Sequence, residues 1–102
     1  MLELRPSCEQ CNKALPPNST EAMICSYECT FCAECAKSVL EDVCPNCGGG
    51  FCLRPIRPSH NLKNKNYLGN DSAITQVTYK PVDVVAHRLF AERIKQKPPH
   101  QR

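Results

Sequence analysis

Eight cysteines within the first 47 residues constrain this chain more than any other feature. They run Cys8-x2-Cys11-x13-Cys25-x3-Cys29-x2-Cys32-x2-Cys35-x8-Cys44-x2-Cys47, and a ninth, Cys52, lies outside the grid. Two cysteines separated by two residues can wrap a tight turn so that both sulfurs meet one metal ion. Zn²⁺ prefers four such ligands in a tetrahedron, and an all-cysteine set leaves no position for water. Eight thiolates therefore predict two closed, structural sites, with two Zn²⁺ as the cofactors. Disulfides fit the pattern less well. An odd count leaves one thiol over. The start, MLELRPSCEQ, lacks the basic and then apolar stretches of an export signal. A cytoplasmic location is expected, where thiols stay reduced. No run approaches a membrane span in length, and no membrane role is expected.

The residues between the ligands suit metal knuckles. Pro45 fixes φ inside Cys44-Pro45-Asn46-Cys47, and Gly48 can take the positive φ that turns backbone N–H groups toward sulfur. Asn12, after Cys11, is the next best residue for that role. Ala22 to Tyr27 reads as a short strand after the turn Pro16-Pro17-Asn18-Ser19. Ala33, Ala36, Val39, Leu40 and Val43 fall near helical spacing, which predicts a helix over about 33–41. The chain has no Trp and only 6% aromatic residues. A module this poor in large apolar residues needs metal binding as its folding energy.

The order of pairs and single cysteines resembles an all-cysteine RING finger. That resemblance implies a cross-brace, treble-clef-like module. Cys8, Cys11, Cys32 and Cys35 would share one Zn²⁺, and Cys25, Cys29, Cys44 and Cys47 the other. A sequential grouping is the alternative, with Cys25, Cys29, Cys32 and Cys35 on one ion and Cys8, Cys11, Cys44 and Cys47 on the second. Ubiquitin-ligase activity, which the RING pattern also implies, is disfavoured by the contact positions. Glu9 and Gln10 stand where RING ligases usually carry an apolar residue, Gly48 stands where a basic residue often follows the last ligand, and only Pro45 fits. Over residues 1–58, the strings LELRPSCEQC, LPPNSTEAMICSYECTFCAEC and CPNCGG resemble a small, uncharacterised family of bacterial cysteine-rich proteins. That resemblance implies a bacterial zinc protein without an assigned activity.

Charge divides the chain. Residues 1–52 hold three basic and seven acidic residues, whereas residues 53–102 hold ten and three. The two halves should attract each other or meet different partners. Arg54, Arg57, Lys63 and Lys65 lie in a stretch without an acid, and segment 54–65 is the candidate nucleic-acid contact. The bland reading of that stretch is a solvated linker extended by Pro55 and Pro58. Cys52 is expected as a small packed residue. His60 and His100 read as solvated. No nucleophile–base spacing stands out, so no catalytic residue and no enzyme is expected.

In the second half, Ala73 to Tyr79 is β-branched and aromatic and predicts a strand. Val82, Val85, Ala86, Leu89, Phe90 and Ile94 recur on one face of a helix over about 82–96, with Asp83 near its start and Lys95 and Lys97 near its end. Val82, Val85, Leu89, Phe90 and Ile94 form the candidate partner face, to be buried on the zinc module, on a second copy or on another protein.

These readings give a small metal-stabilised α+β protein: a RING-like zinc module at 1–52, a basic linker at 53–72, a strand-plus-helix extension at 73–97 and a disordered tail at 98–102. The expected function is a non-catalytic scaffold for contact with an unidentified protein. The alternatives are nucleic-acid binding through 54–65, a RING-type ligase, and a thiol sensor that releases zinc on oxidation.

Overall fold

The structure is a computed structural model that describes residues 1–102. Three short strands, β1 (Ala22–Ile24), β2 (Thr30–Cys32) and β3 (Cys52–Leu53), form an antiparallel sheet in the order β2-β1-β3. Met23 lies opposite Phe31 on one side and Leu53 on the other, and Ile24 lies opposite Thr30 and Cys52. The expected strand 22–27 ends at Ile24 because Cys25 to Cys29 make a turn. The Glu28 N–H donates to the Cys25 carbonyl at 3.0 Å, the Cys25 N–H to the Cys29 carbonyl at 3.2 Å, and Glu28 takes a φ of 67°.

From Ala33 the chain turns helical and tightens into a π-type turn over Cys35–Val39. The Leu40 N–H reaches back five residues to the Cys35 carbonyl at 2.9 Å. Glu41 and Asp42 then take φ values of 55° and 62°, which no helix can continue. The helix expected over 33–41 is therefore present but shorter and wider. Such single wide turns recur where a site requires a side chain to be re-aimed.

The buried cluster holds twelve residues, and six of them are cysteines, with Leu15, Met23, Phe31 and Leu40 as the large apolar members. Phe31 meets Phe51 edge-on with ring centroids 5.4 Å apart. Candidate metal ligands and core are thus the same atoms to a large extent.

The second half departs from expectation in three places. Residues 73–79 form no strand. The Ile74 N–H donates to the Leu4 carbonyl at 3.2 Å, but Thr75, Gln76, Val77 and Tyr79 are exposed. β-propensity reports the fit of a side chain to a half-buried pleated surface, and this run has none to lie on. The helix, α1 (Val84–Ile94), begins and ends two residues inside the expected bounds, and Asp83 caps it by accepting from the Ala86 N–H at 3.1 Å. The tail, expected as irregular, carries local hydrogen-bonded structure. Pro99–Gln101 makes a 3₁₀ turn, and the Arg102 guanidinium donates to the carbonyls of Asp42 and Gly48.

α1 packs on the cysteine-rich module. His87 and Ala91 are buried, Phe90 and Ile94 are half-buried, and a His87 ring nitrogen lies 2.9 Å from the Leu40 carbonyl. Lys95 pairs with Glu41 at 2.8 Å. The expected partner face is split as a result. Val82, Phe90 and Ile94 turn inward, while Val85 and Leu89 are exposed.

Candidate metal centres

The sulfurs of Cys8, Cys11, Cys32 and Cys35 all lie within 4.8 Å of one another. A tetrahedral site with Zn–S near 2.3 Å separates its sulfurs by roughly 3.8 Å, and Cys11 Sγ and Cys32 Sγ are 3.9 Å apart. The first knuckle closes through the Asn12 N–H, which donates to the Cys8 carbonyl at 2.8 Å, with Asn12 at a φ of 65°. The second pair spans the junction of β2 and the π-type turn, where the Cys35 N–H donates to Cys32 Sγ at 3.4 Å.

Cys25, Cys44 and Cys47 make a second cluster under the same 4.8 Å limit. Cys29 lies outside that mutual limit, but its sulfur accepts from Asn46 Nδ2 at 3.4 Å, on the knuckle that carries Cys44 and Cys47. Gly48 takes a φ of 77° immediately after Cys47. N–H groups of Tyr27, Asn46 and Gly49 donate to the sulfurs of Cys25, Cys44 and Cys47 at 3.3 to 3.4 Å. Donors aimed at thiolates are what a metal–sulfur site requires. The clusters join cysteines distant in sequence, and the sequential grouping is not formed. All nine cysteines are unbridged.

The surroundings act unevenly on the thiols. Burial pushes Cys29, Cys32, Cys35 and Cys44 above the usual thiol value. Burial also opposes ionisation of Cys8, but backbone N–H groups at Cys32, Cys11 and Gln10 outweigh it and bring Cys8 below that value. The clustered donor set fits a soft-ligand metal such as zinc: seven sulfurs, no carboxylate among them, and backbone N–H groups turned toward several of them.

Two candidate nucleic-acid contacts are committed elsewhere. Arg54 is 4% exposed, and its guanidinium donates to the carbonyls of Arg5, Leu15 and Pro16. Arg57 donates to the carbonyls of Leu2 and Asp71. Only Lys63 and Lys65 of that set stand free at the surface. A carbonyl-satisfied arginine looks the same in sequence as a phosphate-seeking one. Cys52 is exposed, contrary to expectation, because its β3 position is at the sheet edge.

Glu9 has a role that spacing gave no sign of. It is buried, and its carboxylate accepts from the Thr30 N–H at 2.5 Å and from Arg5 at 3.0 Å. Gln10 Oε1 accepts from the Val82 N–H at 2.8 Å. His60 and His100 are exposed, as expected of solvated histidines.

No helix is long and apolar enough to cross a membrane. An uncharacterized protein of Rhizobium meliloti (strain 1021) is 59% identical to this chain over 63 residues, which make up 62% of this chain and 75% of that protein. No solved structure matches. Residues 1–57 match the family described as Protein of unknown function (DUF1272), and with more than half of its length covered the chain belongs to that family.

Proposed function

We propose that this protein is a non-catalytic scaffold held by two structural Zn²⁺ ions in a RING-like cross-brace. Cys8, Cys11, Cys32 and Cys35 hold one ion, and Cys25, Cys29, Cys44 and Cys47 hold the other. The observation that carries this reading is the convergence of sulfurs from distant pairs into two clusters, each with N–H donors aimed at it. Four thiolates around zinc leave no open position, so the ions build shape and activate no water.

The proposed use of that shape is contact with another protein. Val85 and Leu89 on the outer face of α1 are 64% and 61% exposed, and the inner face is already engaged. Ligase activity is not part of the proposal. Glu9 is buried, Gln10 is bonded to Val82, and Pro45 faces a pocket shared with Pro81, Val82 and Phe90. Contacts of Glu9, Gln10 and Pro45 within the chain support this choice.

Native mass spectrometry of the full chain tests the metal reading. The expected mass is the fully reduced chain plus two zinc ions. A single ion, or none, overturns it. Replacing zinc by cobalt should give the absorption of tetrahedral all-sulfur sites.

A further inference from the structure

Hydrogen bonds reach the candidate ligands in two ways. Cys25, Cys32, Cys44 and Cys47 each receive a backbone N–H from their own turn. Cys29 does not. Its donor is a side chain, Asn46 Nδ2, 17 residues further along. An amide can face a sulfur usefully with its NH₂ end alone, since its oxygen would repel a thiolate. Something must therefore fix which way Asn46 points.

Lys80 does this. Its Nζ donates to Asn46 Oδ1 at 3.4 Å, and an ammonium has no acceptor to offer the other end. Lys80 lies outside the 1–57 family match. Its backbone N–H donates to the Glu9 carbonyl at 2.8 Å, and two residues on the Val82 N–H donates to Gln10 Oε1 at 2.8 Å. Glu9 and Gln10 lie between Cys8 and Cys11, and Asn46 lies between Cys44 and Cys47. Residues 80–82 thus touch a knuckle of each cluster, and Val82 packs against the buried core.

Cys29 is also the one expected ligand outside the mutual spacing of its cluster, so it is the ligand whose placement most needs support. We propose that Lys80, acting through Asn46, positions Cys29 as the fourth ligand of the second centre, and that segment 80–82 is a clamp that slows loss of zinc from that centre. The clamp rests on the two-zinc reading. Lys80 and Asn46 are positioning residues and touch no metal.

The experiment uses the full chain under reducing conditions. Native mass spectrometry first counts zinc in the wild type. Zinc transfer to a chromogenic chelator is then followed for the wild type, Lys80→Met and Asn46→Asp. The aspartate keeps an acceptor for Lys80 but removes the donor to Cys29. Loss of such supporting partners typically costs 10–100-fold in metal affinity. In both variants one of the two zinc equivalents should leave about 10-fold faster while the other keeps its wild-type rate. Alkylation during the fast phase should fall on Cys25, Cys29, Cys44 and Cys47. A variant purified with one zinc and those four thiols open is the same result at its limit. Wild-type rates in both variants, or equal acceleration of both equivalents, overturn the clamp. A wild type carrying fewer than two zinc ions overturns the zinc reading itself, before any variant is compared.

Discussion

Arg54 shows how far a residue's use can lie from its type. The guanidinium is buried without a carboxylate partner and is satisfied by three carbonyls from 38 to 49 residues away. It ties the end of β3 to the N-terminal loops. Arg54→Met keeps much of the volume and strands those carbonyls, so it should cost about 2–4 kcal/mol. Lys63→Ala, at a free surface cation, should stay within about 0.5 kcal/mol. Urea melts of the metal-loaded protein compare the two, and an Arg54→Met midpoint equal to wild type rules this role out. The thiols divide in the same way. Cys52 is exposed at a sheet edge and belongs to neither cluster. In the zinc-loaded protein iodoacetamide should label Cys52 first, and labelling spread evenly over nine thiols argues against occupied centres. Sequence made the paired cysteines, Asn12 and Gly48 legible because knuckle geometry is local. It hid Arg54 and Glu9, whose partners are set by tertiary approach alone.

The second half shows the same division at the scale of elements. Asp83 and the apolar recurrence located α1 to within two residues at each end, because capping and periodicity are local signals. The docked face overlaps the apolar recurrence only in part: Val82, Phe90 and Ile94 turn inward, and Val85 and Leu89 do not. Periodicity counts apolar residues, and the line that docks on the module is His87, Ala91 and Ile94, of which one is polar and one is small. Ala91 is fully buried where the helix meets the module, so Ala91→Leu should overpack the contact and cost about 1–3 kcal/mol. Val85→Ser on the outer face should change stability by no more than about 0.5 kcal/mol. Limited proteolysis between 72 and 83 reads the difference directly: faster cleavage in Ala91→Leu alone is expected, and equal cleavage in both variants contradicts the docked face. The run 73–79 failed as a strand for the complementary reason. Its composition was right, but pairing needs an edge and a surface that only the whole fold supplies.

For the molecule as a whole, the proposed zinc centres would make metal binding and core formation one event. Half of the buried cluster is thiol, so without zinc the module keeps few large apolar contacts. The sign of its pH response follows. Burial holds Cys35 and Cys44 above the usual thiol value, which favours the neutral thiol inside the metal-free fold. A raised folded value stabilises that fold below the ordinary thiol range, and the benefit is lost as pH rises through the raised value. Zinc reverses the order, because it binds thiolate and must expel those protons. The zinc-loaded protein should therefore lose metal and shape as pH falls, and the metal-free chain should lose what structure it has as pH rises. Near pH 7 each zinc should release close to four protons, since free thiols titrate near about 8.5. Cys8 should contribute least to the first centre, because its N–H donors already favour the thiolate. Calorimetric zinc titrations in buffers of different ionisation enthalpy count these protons. A count near zero would mean that zinc is held by groups other than these thiols. A count near four, with zinc at the first centre alone, would reduce the cross-brace to a single site and leave Cys29 without a metal to serve.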